Sequence, residues 1–268
     1  MKKRLISLAM VALMIISLAA CKKEDNGEDN SLKYIQDRGK LILGLDDSFP
    51  PMGFSKDGEI VGFDVDLAKA VCEKLGVKLV LQPVDWKAKE QELNTKNIDC
   101  IWNGLSLTPE RQEEMTMSES YMTNYISVVV MKGSDIKSVA DLAGKKLALQ
   151  SGSAAEETLD AEENKEIKAS LDQVNPFGEY LTALMDLETG NSDAVLMDSV
   201  VATYLIETGK DYVVLEDNLL VDEYSIGFRK GDEALCEAVE NALKEMKEDG
   251  TMEEISTKWF GSDITTIK

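Results

Sequence analysis

Apolar residues fall along this chain in three regimes. The first is a continuous run, Leu5 to Leu18, broken only by Ser7 and Ser17 and preceded by Met1-Lys2-Lys3-Arg4. It is shorter than the ~20 helical residues needed to cross a bilayer. A basic start, an apolar stretch and small residues at its end predict an export signal over residues 1–20. The second regime, residues 22–31, is charged and lacks an apolar period, which predicts a flexible tether. The third begins at Leu32 and alternates short apolar runs with stretches of helical period.

In that third regime, strands are expected at 40–45, 78–83, 98–102 and 125–131, then at 145–150, 193–197, 213–215 and 225–229. Helices are expected at 64–75, 87–96, 109–114, 139–143, 154–163, 178–188, 200–208, 233–248 and 251–259. Residues 64–75 are typical: Val65, Leu67, Ala68, Val71, Cys72 and Leu75 line one face, and Gly76 closes the helix. Strands separated by helices predict an α/β fold with largely parallel sheets. Two such cycles predict two sheets and two lobes.

The apolar run ends in Leu18-Ala19-Ala20-Cys21, which resembles a bacterial lipobox. Cys21 is then the residue that takes the diacylglycerol and a further acyl chain such as palmitate, and becomes the mature N-terminus. More than one acyl chain is needed for stable anchoring. The protein is therefore expected in the cell envelope, extracytoplasmic and tethered to the membrane by lipid. An ordinary secretory signal with a coincidental Cys is the competing interpretation.

Charge narrows the partners. The chain carries 29 Lys and Arg against 50 Asp and Glu, a net charge of −21, and losing the three basic residues of the signal takes it to −24. Nucleic acid is excluded as a natural partner, because phosphate binding needs a basic footprint. The same charge works against recruitment to anionic lipid, so the anchor must be covalent. The chain has no histidine, which excludes His-based acid–base catalysis, Ser-His-Asp and Cys-His nucleophiles and every His-containing zinc site. No metal or cofactor is expected. Cys72, Cys100 and Cys236 have no C-x-x-C spacing and are expected as small buried hydrophobes. A Cys72–Cys100 disulfide stays open.

Ligands of open α/β sheets sit at the carboxyl ends of strands, beside helix N-termini. The residues there are Asp46, Asp47 and Phe49 after the first strand, and Asn103-Gly104-Leu105-Ser106-Leu107-Thr108-Pro109-Glu110-Arg111 after the third. Gln150-Ser151-Gly152-Ser153 and Asp198 occupy such positions in the second cycle. Thr108 suits an N-cap and Pro109 the first helical turn, so the N–H groups of this helix start are expected to favour an anion. Arg111 then presents a planar fork to a carboxylate; pairing with Glu110, Glu113 or Glu114 is the alternative. Ser153 with Glu156 reads as a capping box. Asp198 either caps its helix or takes an ammonium group. An Arg and an Asp across one cleft match an α-amino acid zwitterion, and neither alone does. Phe49 and Trp86 are candidates to sandwich a side chain. Asp46, Asp47 and Glu90 add negative charge, which suits an amine or guanidinium if they line the pocket; solvated surface acids are the alternative.

These residues resemble the solute-binding lipoproteins of polar amino-acid ABC transporters, with a type II periplasmic binding protein fold. The resemblance runs from about Leu32 to Gly261. It is carried by Gly44 to Phe54, Gly62 to Ala68, Ile98 to Arg111, Ser120-Tyr121, Asp141 to Lys146, Gln150 to Ser153, Asp193 to Asp198 and Lys258 to Gly261. It implies that Arg111 clamps the ligand α-carboxylate, aided by the Ser106 region and the Ser153 backbone. It implies that Asp198 takes the α-ammonium and that Asp46, Phe49 and Trp86 line the side-chain pocket. Asn103-Gly104 stands where many relatives carry Ser or Thr, and Ala154-Ala155 where many carry a polar residue, so the amino acid itself stays open. Cystine or a basic amino acid is favoured, with glutamine behind. The resemblance also implies one lobe from 32–126 plus 221–268, another from 127–220, closure about hinges near 127 and 220, and a monomer that delivers cargo to a membrane permease. Two other classes compete: a dehydratase-type enzyme on the same fold, and an amino-acid-sensing receptor subunit.

Overall fold

A computed structural model describes residues 29–268. The export signal, Cys21 and the tether up to residue 28 lie outside the described residues. The tether prediction ends too late: Asp29 accepts from the backbone N–H groups of Ser31 and Ala234, and Ser31 already opens helix α1 (Ser31–Arg38). Helix α1 has only Ile35 as a fully buried apolar anchor, too weak a stripe to be seen as a helix in the sequence.

The chain continues through β1 (Lys40–Leu45), β2 (Ser48–Phe49), β3 (Gly53–Lys56), β4 (Glu59–Val61), α2 (Phe63–Leu75), β5 (Lys78–Pro83), α3 (Lys89–Asn94), β6 (Cys100–Ser106), α4 (Pro109–Glu114), β7 (Met115–Met117) and β8 (Met122–Met131). The second cycle holds β9 (Lys146–Gln150), α5 (Ala154–Asp160), α6 (Lys165–Ser170), β10 (Gln173–Phe177), α7 (Tyr180–Glu188), β11 (Ala194–Asp198) and α8 (Ser199–Glu207). Then come β12 (Tyr212–Arg229), α9 (Glu233–Asp249) and α10 (Thr251–Phe260). The expected alternation is present, and strands β1, β5 and β6 are parallel, as are β9, β10 and β11. Helix α9 shows how the pattern acts: Leu235, Cys236, Val239, Ala242, Leu243 and Met246 form its buried stripe, and Gly250 ends it in the left-handed region.

The expectation of two separate sheets is corrected. One nine-stranded sheet runs β10-β9-β11-β8-β12-β6-β1-β5, with β7 on β12. The long antiparallel strands β8 and β12 join a half built on β1, β5 and β6 to a half built on β9, β10 and β11. The two strands expected at 213–215 and 225–229 are one strand of 18 residues, because pairing with β8 resumes at Asn218 and runs on to Tyr224 across two register shifts. Its polar, exposed residues resemble a loop in sequence. The small sheet β2-β3-β4 was not expected. Nor were α6 and β10; the helix expected over 154–163 stops at Asp160.

All of β6 is buried, as expected for a strand covered on both faces. It therefore continues through Asn103 and Gly104 to Ser106 rather than ending at Trp102. Cys72, Cys100 and Cys236 are buried free thiols. Among the described residues, no helix is long and apolar enough to cross a membrane.

Candidate functional site

Helix α4 delivers Arg111. The Thr108 hydroxyl accepts from the Arg111 N–H at 3.3 Å and Pro109 fills the first turn, as the sequence predicted. That bond uses one of the N–H groups expected to favour an anion, and the guanidinium adds its own charge beside them. Arg111 is 4% exposed. Its Nη1 donates to the Ser106 carbonyl at 3.0 Å, its Nη2 to Glu157 Oε1 at 2.8 Å, and its buried Nε has no partner among the described residues. None of Glu110, Glu113 and Glu114 pairs with it; Glu157 does, from the other half of the sheet.

Asp198 ends β11 and occupies the N-cap of α8, yet its side chain caps nothing. Its Oδ1 accepts from Asn124 Nδ2 and from the Tyr224 hydroxyl, both at 2.7 Å. Asn124 Nδ2 also reaches Asp222 Oδ2 at 3.0 Å, and the Ser106 hydroxyl donates to the same oxygen at 2.7 Å. A buried chain thus links Asp198, Asn124, Asp222 and Ser106. Burial first, and then the neighbouring Asp222 charge, push the Asp198 carboxyl up to about 7. Burial likewise raises Asp222, against the bonds from Asn124 and Ser106.

Asp46, at the end of β1, is also buried and raised by burial. It accepts from the Ser48 N–H and hydroxyl at 2.8 Å and from Gln150 Nε2 at 2.7 Å. Gln150 ends β9, so this bond bridges the halves; its Nε2 also donates to the Gly178 carbonyl. The Asn103 side-chain Oδ1 accepts from the Asp46 N–H, while its Nδ2 is buried without a partner among the described residues. Gly104 has φ +60°, and a Cβ there would lie 2.9 Å from Phe49 and 3.0 Å from Tyr224. Its N–H donates to Asp64, which burial pushes up to about 7. Glycine at 104 therefore lets two aromatic rings converge behind the cleft. Phe49 packs against Tyr180 with ring centroids 5.8 Å apart, and the buried Tyr180 hydroxyl faces Asp198 and Ser153.

Ser153 caps α5 by accepting from the Glu156 N–H, and its hydroxyl donates to the Gln150 carbonyl. The expected capping box is corrected: the Glu156 carboxylate takes the N–H of Gly152, one residue upstream of the cap. Gly152 (φ +72°) lies against the Lys87 backbone, where a Cβ would be 3.0 Å away. Trp86 sits in a small satellite core beside Leu93 and Ile98. The Lys89 ammonium lies 5.0 Å from its ring centroid. Glu90 pairs with Lys89 at 2.8 Å, which offsets the negative charge expected of it at the mouth. Lys89 also donates to the Gly152 carbonyl at 2.9 Å, tying the halves together, and burial lowers its pKa. Asp47 lies at the same mouth, with Asp46, Trp86 and Glu179.

The structure thus joins Arg111, Ser106, Asp222, Asn124 and Asp198 in one hydrogen-bonded chain, and ties Asp46 to Gln150 across the halves. Sequence reasoning missed Asp222, Asn124, Tyr180, Tyr224, Lys89 and Glu157. A polar residue in an apolar strand is a visible signal for Asn124 alone; Asp222 lies in a stretch that resembles a loop. Among the described residues, no group of three or more Cys, Asp and Glu is arranged to hold a metal ion. One buried guanidinium opposite several buried carboxylates complements a small dipolar ion.

Known proteins carry the same architecture. The sequence profile of the bacterial extracellular solute-binding proteins, family 3, matches residues 41–262. The L-cystine-binding protein TcyJ of Escherichia coli is 32% identical over 96% of this chain and 96% of its own length. The arginine-binding extracellular protein ArtP of Bacillus subtilis is 30% identical over 97% and 98%. A crystal structure of an ABC uptake transporter substrate-binding protein from Streptococcus pneumoniae with bound histidine superposes with a TM-score of 0.85 at 39% identity, covering 90% of this chain and all of that one. The fold, the cleft and the sequence likeness agree, and this chain belongs to the bacterial extracellular solute-binding proteins of family 3.

Proposed function

We propose that this protein is the extracytoplasmic substrate-binding subunit of an ABC importer and carries a polar L-α-amino acid to a membrane permease. The observation that carries this is the buried Arg111 joined through Ser106, Asp222 and Asn124 to the buried Asp198. In this reading Arg111 holds the α-carboxylate, helped by Ser106 and the Ser153 backbone, and Asp198 holds the α-ammonium. Asp46, Phe49, Trp86, Asn103, Gly104 and Gln150 form the wall around the side chain, with Glu90 at its edge. Cystine or a basic amino acid is favoured, with glutamine next; related proteins are named for binding cystine, arginine, glutamine and histidine. Residues 32–126 with 221–268 form one lobe and 127–220 the other, and both crossings lie in β8 and β12, where a bend would open the cleft. Cys21 carries the lipid anchor, and the protein acts as a monomer.

A thermal-shift screen with the common amino acids, cystine, ornithine and dicarboxylates tests this. A ligand at ~100 times its dissociation constant adds ~2.7 kcal/mol. Arg111→Ala is expected to abolish the response, at a cost of about 2–5 kcal/mol in binding, while the unliganded melting curve keeps its shape. Unchanged affinity in that variant rejects the carboxylate assignment. An enzyme is the second reading, because an ancestral amino-acid-binding protein described as a precursor of cyclohexadienyl dehydratase is 34% identical with a TM-score of 0.78. A flat amino-acid screen together with turnover of a prephenate-like acid would favour it.

A further inference from the structure

A guanidinium offers two forks to a carboxylate, Nε–H with one N–H of Nη2, and an N–H of Nη1 with the other N–H of Nη2. In Arg111 the Nη1 is held by the Ser106 carbonyl and Nε has no partner among the described residues. Nη2 is held by Glu157 Oε1 at 2.8 Å. A carboxylate of the protein itself therefore already takes one N–H of the nitrogen shared by both forks, and its charge offsets that of the buried guanidinium that a ligand carboxylate needs. That carboxylate comes from α5, across the cleft from α4. The two partners differ in freedom: the Arg111 side chain is 5% exposed and that of Glu157 is 40% exposed. Glu157 can swing into water; Arg111 cannot. Lys89 gives Glu157 no alternative, since its ammonium is engaged by the Trp86 and Gly152 carbonyls and by Glu90. Nor is Glu157 needed as a cap, because Ser153 and Glu156 serve the start of α5.

We propose that Glu157 is an internal competitor for Arg111. It stands in for the ligand α-carboxylate, holds the halves together when the cleft is empty, and leaves before the ligand is gripped. This rests on the amino-acid-binding reading above. Glu157 then sets specificity as well as affinity: an amine without a carboxylate, such as agmatine, has nothing with which to displace it.

The test compares wild type with Glu157→Gln and Glu157→Ala, each stripped of bound amino acid. Calorimetry with L-arginine, L-cystine, L-glutamine and agmatine gives affinities, and small-angle scattering gives the dimensions of the unliganded protein. Both variants are expected to bind the α-amino acids more tightly, by up to about fivefold, the worth of one half-exposed ion pair. Their unliganded forms are expected to be more expanded than wild type, with equal dimensions once liganded. Two results overturn the proposal. One is equal or weaker binding with unchanged unliganded dimensions. The other is a loss confined to L-arginine, which makes Glu157 a side-chain contact. The two readings fail separately: a wild-type protein that binds none of the amino acids rejects the transport function, while the scattering comparison still decides whether Glu157 holds the empty cleft shut.

Discussion

Lowering the pH will weaken amino-acid binding through Asp198. The free carboxyl is buried against Asn124 and Tyr224 and sits at about 7, first because of burial and then because of the Asp222 charge. Only its ionised form can hold an ammonium group, so the bound state keeps Asp198 deprotonated well below pH 7. Wherever the free protein carries that proton, binding must release it. With a midpoint of about 7, half of the sites are protonated at pH 7 and about 97% at pH 5.5. The apparent affinity then falls roughly 16-fold over that interval, about 1.6 kcal/mol. The sign is opposite for the empty protein. A carboxyl raised above its unfolded value of 3.8 costs stability as pH climbs from about 4 to 7, so the unliganded fold gains as pH falls through that window. Titration calorimetry at pH 6.5 in phosphate and in imidazole measures the proton directly, with about 0.8 proton expected per ligand. Asp198→Asn should bind weakly and lose the pH slope. Affinity constant within twofold from pH 8 to 5.5, with no buffer-dependent heat, would refute the assignment of Asp198 to the ammonium.

Two further outcomes follow from packing. Gly104→Ala forces a methyl to within 2.9 Å of Phe49 and 3.0 Å of Tyr224 at a positive φ. It should cost about 1–3 kcal/mol in urea unfolding and weaken binding, because the Tyr224 hydroxyl serves Asp198. Phe54 of β3 lies 6.0 Å from Tyr204 of α8 and 6.0 Å from Trp259 of α10. Phe54→Ala should remove about 0.5–1.5 kcal/mol from the closed arrangement, seen in calorimetry as up to roughly tenfold weaker binding with little change in the site itself.

Much of the fold was legible because its causes are local. The Thr108-Pro109 start of α4, the stripe of α9 and the apolar strands depend on residues a few positions apart. The misreadings share one cause. Residues 216–223 carry five polar residues and Asn103-Gly104 resembles a turn, yet pairing with β8 from Asn218 onward keeps β12 in strand, and β6 resumes its pairing at Leu105 and Ser106 beyond Gly104. Pairing partners from distant parts of the chain outweighed local propensity.

By itself the sequence determined the alternating α/β pattern, through residue type and short spacing, and the resemblance carried by its motifs pointed to the family and to Arg111 and Asp198 as the proposed ends of a zwitterion site. Only the tertiary structure decided what those two groups touch. Ladder register sets Asp222 opposite Asn124 and Tyr224 opposite Ser106, which builds the chain from Asp198 to Ser106. Contact between the halves sets Gln150 on Asp46, Lys89 on Gly152 and Glu157 on Arg111. The partners in these pairs lie tens of residues apart, and their meeting is set by strand register and by the approach of two rigid halves, neither of which leaves a local trace.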